Sequence, residues 1–175
     1  MPLSEQEIIR RQSLEELQKL GINPYPADLF EINTSASEIL EKYPADQEAF
    51  KNVSFAGRIM TRRIMGNASF AELQDESGKI QVYLRRDDLC PGEDKTLYNI
   101  VFKKLLDIGD IIGVKGYVFI TQTGETSIHA TSLVVLSKSL RPLPVTKETT
   151  DEQGVVHRHD AFMDPEQRYR VLAPC

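Results

Sequence analysis

The chain has 175 residues, 41% of them hydrophobic and 27% charged, with a formal net charge of −5. These values are typical of one globular domain, or of a smaller domain with extensions, and they exclude a disordered chain. No segment approaches the roughly 18 consecutive apolar residues of a membrane span, and residues 1–7 lack the basic start and apolar core of a secretory signal. We therefore expect a cytoplasmic protein with no membrane partner.

The first part of the chain, residues 1–50, predicts a helical extension. Ser4 and Glu7 have the spacing of a helix-capping box, and apolar residues at helical spacing follow until Gly21 and a proline-containing run end the pattern. The same capping spacing recurs before a second, short helix predicted over residues 36–43. We expect two helices in this extension.

Three strands of alternating apolar and polar residues are predicted after the extension. They cover residues 53–64, 68–74 and 79–86. In the third strand aliphatic side chains alternate with polar ones, so Gln81 faces outward if the aliphatic side is the core. In the second strand Ala71 and Leu73 form the matching inner set, which places Phe70 on the same outer face as Gln81. A large aromatic side chain on a solvated sheet face suggests a binding role.

A helix and two further strands complete the predicted domain. Residues 94–107 carry apolar side chains at helical spacing, and strands are predicted over 108–120 and 125–136. This is the order of the five-stranded oligonucleotide-binding (OB) barrel, a Greek-key fold. The helix between strands 3 and 4 argues against the alternatives, a sandwich or a different small barrel. The predicted fold class is therefore mainly β with flanking helices, an OB-fold barrel plus an N-terminal helical extension.

The end of the chain is predicted to be a connector. After Ser137 the pattern weakens, because the LRPLP run at 140–144 is semi-rigid and residues 146–160 are polar without periodicity. The predicted domains are the helical extension (1–50), the OB-fold domain (51–138) and the connector (139–175). Cys90 and Cys175 have neither metal-ligand spacing nor the density of a disulfide scaffold, so we expect free thiols.

The charge is unevenly distributed along the chain. Residues 1–50 contain 4 basic and 10 acidic side chains, residues 51–86 contain 7 and 3, and residues 87–175 contain 10 and 13. The only net-positive block is therefore the first three strands of the barrel. An acidic chain with one basic patch favours selective contact with one nucleic acid over non-specific coating.

Several short segments of the sequence, in this order, resemble those of a known family. They are TRRIMGNASF, LQDESGKIQVYLRRDDL, IGDIIGVKG, TGETSIHA, LRPLP and DPEQRYR. With Phe70 and Gln81 on adjacent strands, the chain from Gly21 to Arg170 resembles the anticodon-binding domain of lysyl-tRNA synthetases, which are class II aminoacyl-tRNA synthetases. Aspartyl and asparaginyl enzymes share the fold and the aromatic–glutamine pair, but the first and fourth segments resemble the lysyl branch.

The resemblance implies how the anticodon of a lysine tRNA is read. Phe70 would stack on the central uridine, and the Gln81 amide would hydrogen-bond its Watson–Crick edge, which an amide can do because it offers both a donor and an acceptor. Matching positions add Arg63 as a donor to base carbonyls and Glu125 as an acceptor from a flanking base. Simple alternation along the first strand places Arg62 on the outer face instead of Arg63, and a β-bulge would reverse that parity.

Other polar residues receive weaker predictions. Candidate phosphate contacts are Arg58, Arg62, Arg85 and Arg86. His157 and His159 lack a nearby cysteine or carboxylate constellation, so we expect no metal site.

The resemblance also implies what this stretch does not contain. In the family DPEQRYR introduces the catalytic domain with its ATP and lysine motifs, whereas only residues 171–175 follow it here. We therefore expect a catalytically inactive part of a ligase, with no catalytic residue and no cofactor of its own. ATP and magnesium, and a homodimer, are expected of the whole enzyme. The alternative is a stand-alone OB-fold RNA-binding module or the anticodon domain of an aspartyl or asparaginyl enzyme.

Overall fold

The computed structural model describes residues 3–143, 147–150 and 156–159. The chain divides into two compact units, residues 1–142 and 143–175. In the second unit the strands Lys147–Thr150 and Val156–His159 pair antiparallel. Residues 146–160 were predicted to belong to the connector, and no strand was predicted there. The DPEQRYR segment and Cys175 lie outside the described residues.

The N-terminal extension contains the two predicted helices. Helix α1 spans Glu5–Lys19, and its capping box is formed because the Ser4 hydroxyl accepts from the Glu7 amide while the Glu7 carboxylate accepts from the Ser4 amide. Helix α2 spans Ala36–Lys42, followed by a 3₁₀ turn at Glu48–Phe50. No described helix is both long enough and apolar enough to cross a membrane.

Five strands form a closed barrel in the order β1-β2-β3-β5-β4. Strands β3 and β5 pair parallel, and all other neighbouring pairs are antiparallel. The observed bounds are β1 Val53–Met65, β2 Ala68–Gln74, β3 Lys79–Arg85, β4 Ile111–Ile120 and β5 Thr126–Ser137. A short helix, α3 (Arg86–Leu89), and a π-helix, α4 (Leu97–Leu105), connect β3 to β4. The predicted OB-fold barrel with a helix between strands 3 and 4 is confirmed.

The barrel interior is filled by the predicted aliphatic set. Ala71 and Leu73 of β2 are buried, as are Ile80, Val82 and Leu84 of β3. The side chains between them on both strands point away from the core and are partly or fully exposed. Since the side-chain period of a strand is two, burial of the inner set decides which residues β2 and β3 present to a ligand.

Charged side chains gather around the loop that joins α4 to β4. Lys138 and Asp110 are both fully buried, and the Lys138 Nζ lies 2.8 Å from Asp110 Oδ2 and 2.6 Å from Asp107 Oδ2. Three arginines donate to backbone carbonyls of the same loop. Arg10 donates to Ile108 O, Arg58 to Gly109 O and Arg62 to Leu106 O. We call this group the Asp110 cluster. Its charged members are Arg10, Arg58, Arg62, Asp107, Asp110 and Lys138.

Candidate nucleic-acid interface

A β-bulge in β1 decides which of two adjacent arginines faces outward. The pairing of β1 with β2 shifts between Ile59 and Thr61, so that Met60 is an extra residue on β1. Beyond the bulge Arg63 lies directly opposite Phe70 and is exposed. The bulge that the sequence required for an outward Arg63 is therefore present.

Arg62 has a different role from its neighbour. Its Nη1 atom donates to the carbonyls of Phe102 and Leu106, the latter at 2.6 Å, at the C-terminal end of α4. Burial lowers the pKa of the Arg62 guanidinium, an effect that Asp107 and Asp110 oppose. Both carbonyls belong to the protein itself, so this part of the Arg62 guanidinium is engaged within the fold.

Phe70 lies on the outer face of the barrel, with the Arg63 guanidinium over its ring. The side chain is partly buried, and the Arg63 Cζ atom lies 5.6 Å from the ring centroid. Tyr83, directly opposite on β3, holds its ring centroid 5.1 Å from that of Phe70. A guanidinium at this distance is attracted to the ring face, and the Tyr83 ring packs against Phe70 in a tilted arrangement.

Gln81 is held on both sides of its amide group. Its Nε2 atom donates to Glu125 Oε2 at 2.7 Å, and its Oε1 atom accepts from the Ser127 hydroxyl at 3.0 Å. The parallel pairing of β3 and β5 places Gln81 directly opposite Ser127. The amide is therefore oriented before any ligand binds.

The tight turn between β4 and β5 positions Glu125. The Gly124 amide donates to the Thr121 carbonyl at 2.9 Å, and Gly124 has a positive φ of 85°, which glycine adopts without strain. The Glu125 amide then donates to the Thr121 hydroxyl at 3.0 Å, while the Glu125 carboxylate is exposed beside Gln81. The turn thus directs a carboxylate toward the outer face of β3.

The four residues predicted to contact bases line one pocket. Arg63, Phe70, Gln81 and Glu125 surround a space of about 310 Å³, together with Thr61, Ala71 and Glu72. The pocket, which we call the base pocket, offers an aromatic face, a cationic donor, an amide and a carboxylate. These groups can stack on an unpaired base and hydrogen-bond its edge.

The remaining arginines differ in their availability. Arg58 donates to Gly109 O at 2.8 Å and belongs to the Asp110 cluster. Arg86 donates to Asn67 and Asp87, and its hydrogen bond to Asp87 raises the pKa of Arg86. Arg85 is exposed, with the Asp88 carboxylate 3.9 Å away. Of the four candidate phosphate contacts, Arg85 has the longest distance to its nearest partner in the protein.

Three residues around the base pocket were not singled out from the sequence. Ser127 is fully buried in β5, and a serine in an alternating strand carries no signal of its partner. Thr61 joins the pocket only because of the bulge. Glu72 lines the pocket and lies 3.1 Å from Lys79; its strand parity already placed it on this face.

A comparison with protein families identifies the class of domain. Residues 53–136 match the tRNA anti-codon family, described as an OB-fold nucleic acid binding domain. This range covers β1 to β5 of the barrel and all four residues predicted to contact bases. The barrel is therefore similar to the OB-fold nucleic acid binding domains of the tRNA anti-codon family.

Proteins with a similar sequence include lysine–tRNA ligases. The chain is 57% identical to that of Porphyromonas gingivalis over 171 residues, which are 97% of this chain and 29% of the relative. It is 57% identical to the ligase of Azobacteroides pseudotrichonymphae, covering 96% of this chain and 32% of the relative. It is 56% identical to the ligase of Christiangramia forsetii, covering 96% of this chain and 28% of the relative. The chain thus spans about three tenths of these relatives, and the resemblance to the lysyl branch is confirmed.

Proposed function

We propose that the base pocket binds the central base of a tRNA anticodon. Phe70 stacks on the base, Gln81 hydrogen-bonds its Watson–Crick edge, Arg63 donates to base carbonyls and Glu125 accepts from a flanking base. The observation that carries this proposal is that these four side chains, from β1, β2, β3 and the β4–β5 turn, line a single pocket. The ligand face of OB-fold barrels lies on strands 2 and 3 and on these loops.

The chemistry of the pocket favours a uridine at this position. The Gln81 Nε2 atom, which lies 2.7 Å from Glu125 Oε2, is an N–H donor. It suits the O4 carbonyl of uracil, whereas cytosine has an amino donor at that position. The Gln81 amide and the Glu125 carboxylate bond to each other in the free protein. When RNA binds, the uracil O4 can accept from Gln81 and an N–H group of the flanking base can donate to Glu125, so neither side chain is left unpaired.

We propose further that the whole protein attaches lysine to its tRNA with ATP and magnesium, as a cytoplasmic homodimer. The support is the 56–57% identity to lysine–tRNA ligases. The described residues contain no group of three or more His, Cys, Asp or Glu side chains that could hold a metal ion. We assign no step of the ligase reaction to the described residues.

Two other readings remain as alternatives to be tested. A stand-alone OB-fold module would bind single-stranded RNA without preferring one anticodon. An aspartyl or asparaginyl anticodon domain would prefer the corresponding tRNAs. The lysine–tRNA ligase relatives favour the lysyl reading over both.

Titration with RNA hairpins tests the proposal. Fluorescently labelled anticodon stem-loops with a central uridine or a central cytidine are added to the chain, and the two dissociation constants are compared. We expect the uridine hairpin to bind about 10-fold or more tightly, since a mismatched base at a read position costs about 1–3 kcal/mol. Equal affinity for the two hairpins would support the stand-alone module. An aspartate anticodon hairpin, which also has a central uridine but different flanking bases, separates the lysyl reading from the aspartyl one.

A further inference from the structure

We propose that Ser127 is a positioning residue that sets the specificity of the base pocket through the amide of Gln81. It keeps the amide nitrogen toward the ligand and the amide oxygen toward the barrel. This inference rests on the proposed function, because it concerns how the pocket distinguishes one base from another. It assigns a role to a buried side chain that need not contact RNA.

The hydrogen-bond geometry defines the orientation of the amide. The Glu125 carboxylate can only accept, so the group of Gln81 that lies 2.7 Å from it must be the nitrogen. The amide oxygen then faces the Ser127 hydroxyl at 3.0 Å, and that hydroxyl must donate. The two contacts are consistent with only one of the two amide orientations.

Ser127 is fixed more firmly than the residue it orients. Its exposed fraction is 0%, and it lies directly opposite Gln81 in the β3–β5 pairing. The backbone carbonyl of Glu125 is a second acceptor for the same hydroxyl, at the longer distance of 3.3 Å. The single hydroxyl proton is therefore shared between a nearer side-chain acceptor and a more distant backbone acceptor.

Once RNA occupies the pocket, Ser127 alone fixes the orientation of the Gln81 amide. The exposed Glu125 carboxylate is then engaged by a base and no longer fixes the Gln81 nitrogen. The buried Ser127 hydroxyl remains, and it leaves Gln81 presenting an N–H donor. Such a donor suits the O4 carbonyl of uracil and opposes the N4 amino group of cytosine. Without Ser127 the amide is free to turn and present its oxygen, which accepts from the cytosine amino group.

Hairpin binding by matched variants measures this effect. We expect Ser127→Ala to reduce the preference for the uridine-centred over the cytidine-centred hairpin roughly 3- to 10-fold, the value of one hydrogen bond. Ser127→Thr keeps the hydroxyl and should retain the wild-type preference. Ser69→Ala is the control, because Ser69 is equally buried but bonds inward to the Tyr98 hydroxyl at 2.7 Å. It should lower the melting temperature and leave the preference unchanged.

A double-mutant cycle shows whether the effect passes through Gln81. In the Gln81→Ala background, Ser127→Ala should cause no further loss of preference. An equal loss in both backgrounds would overturn the proposal, since Ser127 would then act through the fold. A wild-type preference retained by folded Ser127→Ala protein would overturn it as well.

A measurement without RNA separates this proposal from the proposed function. In ¹⁵N-labelled protein, the side-chain NH₂ signals of Gln81 should shift in Ser127→Ala and stay in place in Ser69→Ala. Unchanged Gln81 signals in Ser127→Ala would overturn the positioning role whatever the hairpins show. If the wild-type chain fails to discriminate between the hairpins, the proposed function fails, and the Gln81 signals still decide whether Ser127 holds the amide.

Discussion

The Asp110 cluster and the base pocket contain the same kinds of charged and polar residues. The two regions differ in how deeply these side chains are buried. In the cluster, Lys138 and Asp110 are fully buried and bonded to each other. In the pocket, Arg63 and Glu125 are exposed, and the Gln81–Glu125 bond lies at the surface. A buried charge whose partner is removed is costly, whereas an exposed one is rehydrated at little cost. Charges in the cluster therefore hold the fold, while those in the pocket are available to a ligand.

Removing a carboxylate from each region should give the largest contrast. Asp110→Ala leaves the buried Lys138 ammonium without its fully buried partner, and we expect the free energy of unfolding to fall by about 3–5 kcal/mol. Glu125→Ala removes an exposed carboxylate and should change it by about 0.5 kcal/mol or less. Urea denaturation monitored by circular dichroism measures both. Similar losses in the two variants would contradict the contrast.

The adjacent arginines offer a comparison at constant charge. Arg62→Ala removes two hydrogen bonds to the end of α4 and should lower the free energy of unfolding by about 1.5–3 kcal/mol. Arg63→Ala changes the net charge equally but should leave stability within about 0.5 kcal/mol and weaken hairpin binding. The pair is compared by denaturation and by titration. A stability loss in Arg63→Ala with unchanged RNA affinity would reverse the assigned roles.

Substitution of Phe70 and of Phe55 compares an aromatic residue on the outer face of the barrel with one on the inner face. Phe70→Ala should weaken binding to uridine- and cytidine-centred hairpins alike by about 1–3 kcal/mol, because stacking tolerates any base. Phe55 is fully buried in β1, so Phe55→Ala should lower the free energy of unfolding by about 3–5 kcal/mol. Melting curves and titrations are recorded for both. If Phe70→Ala mainly lowers the melting temperature, Phe70 is a core residue and the assigned binding face is wrong.

Gln81→Ala should affect discrimination more than affinity. We expect the preference for the uridine-centred hairpin to fall by about 1–3 kcal/mol, since an edge contact is lost. Gln74→Ala is the matched control, because Gln74 is exposed on the same face of β2 but does not line the base pocket. A preference retained by Gln81→Ala would show that another residue reads the edge of the base.

The salt dependence should be the smallest effect. The net charge is −5, and Arg63 and Arg85 are the exposed arginines on the barrel strands that carry the base pocket. With about two phosphates neutralised, the slope of log K against log salt concentration should have a magnitude of about 2 or less. Titration across a series of potassium chloride concentrations gives this slope. A steep slope would indicate binding dominated by phosphate contacts.

Much of the barrel could be predicted from local patterns. The bounds of β2 agree with the prediction, because turns of polar and glycine residues flank a short alternating run. Strand β4 begins at Ile111, three residues later than predicted, since Gly109 and Asp110 form the loop whose backbone bonds to Ile59 on β1. The strands at 147–150 and 156–159 were not predicted because their residues, apart from Val156, are polar and show no apolar alternation.

By itself, the sequence determined the order of the five barrel strands, the inner and outer faces of β2 and β3, and the placement of Phe70 and Gln81 on one outer face. These follow from side-chain periodicity, which is a local property of the chain. Only the tertiary structure decided that Arg63 and not Arg62 faces outward, because this depends on how β1 pairs with β2 around the bulge. It alone also placed Ser127 beneath Gln81, since the parallel β3–β5 register joins residues 46 positions apart. Such contacts are set by barrel closure, and no local pattern records them.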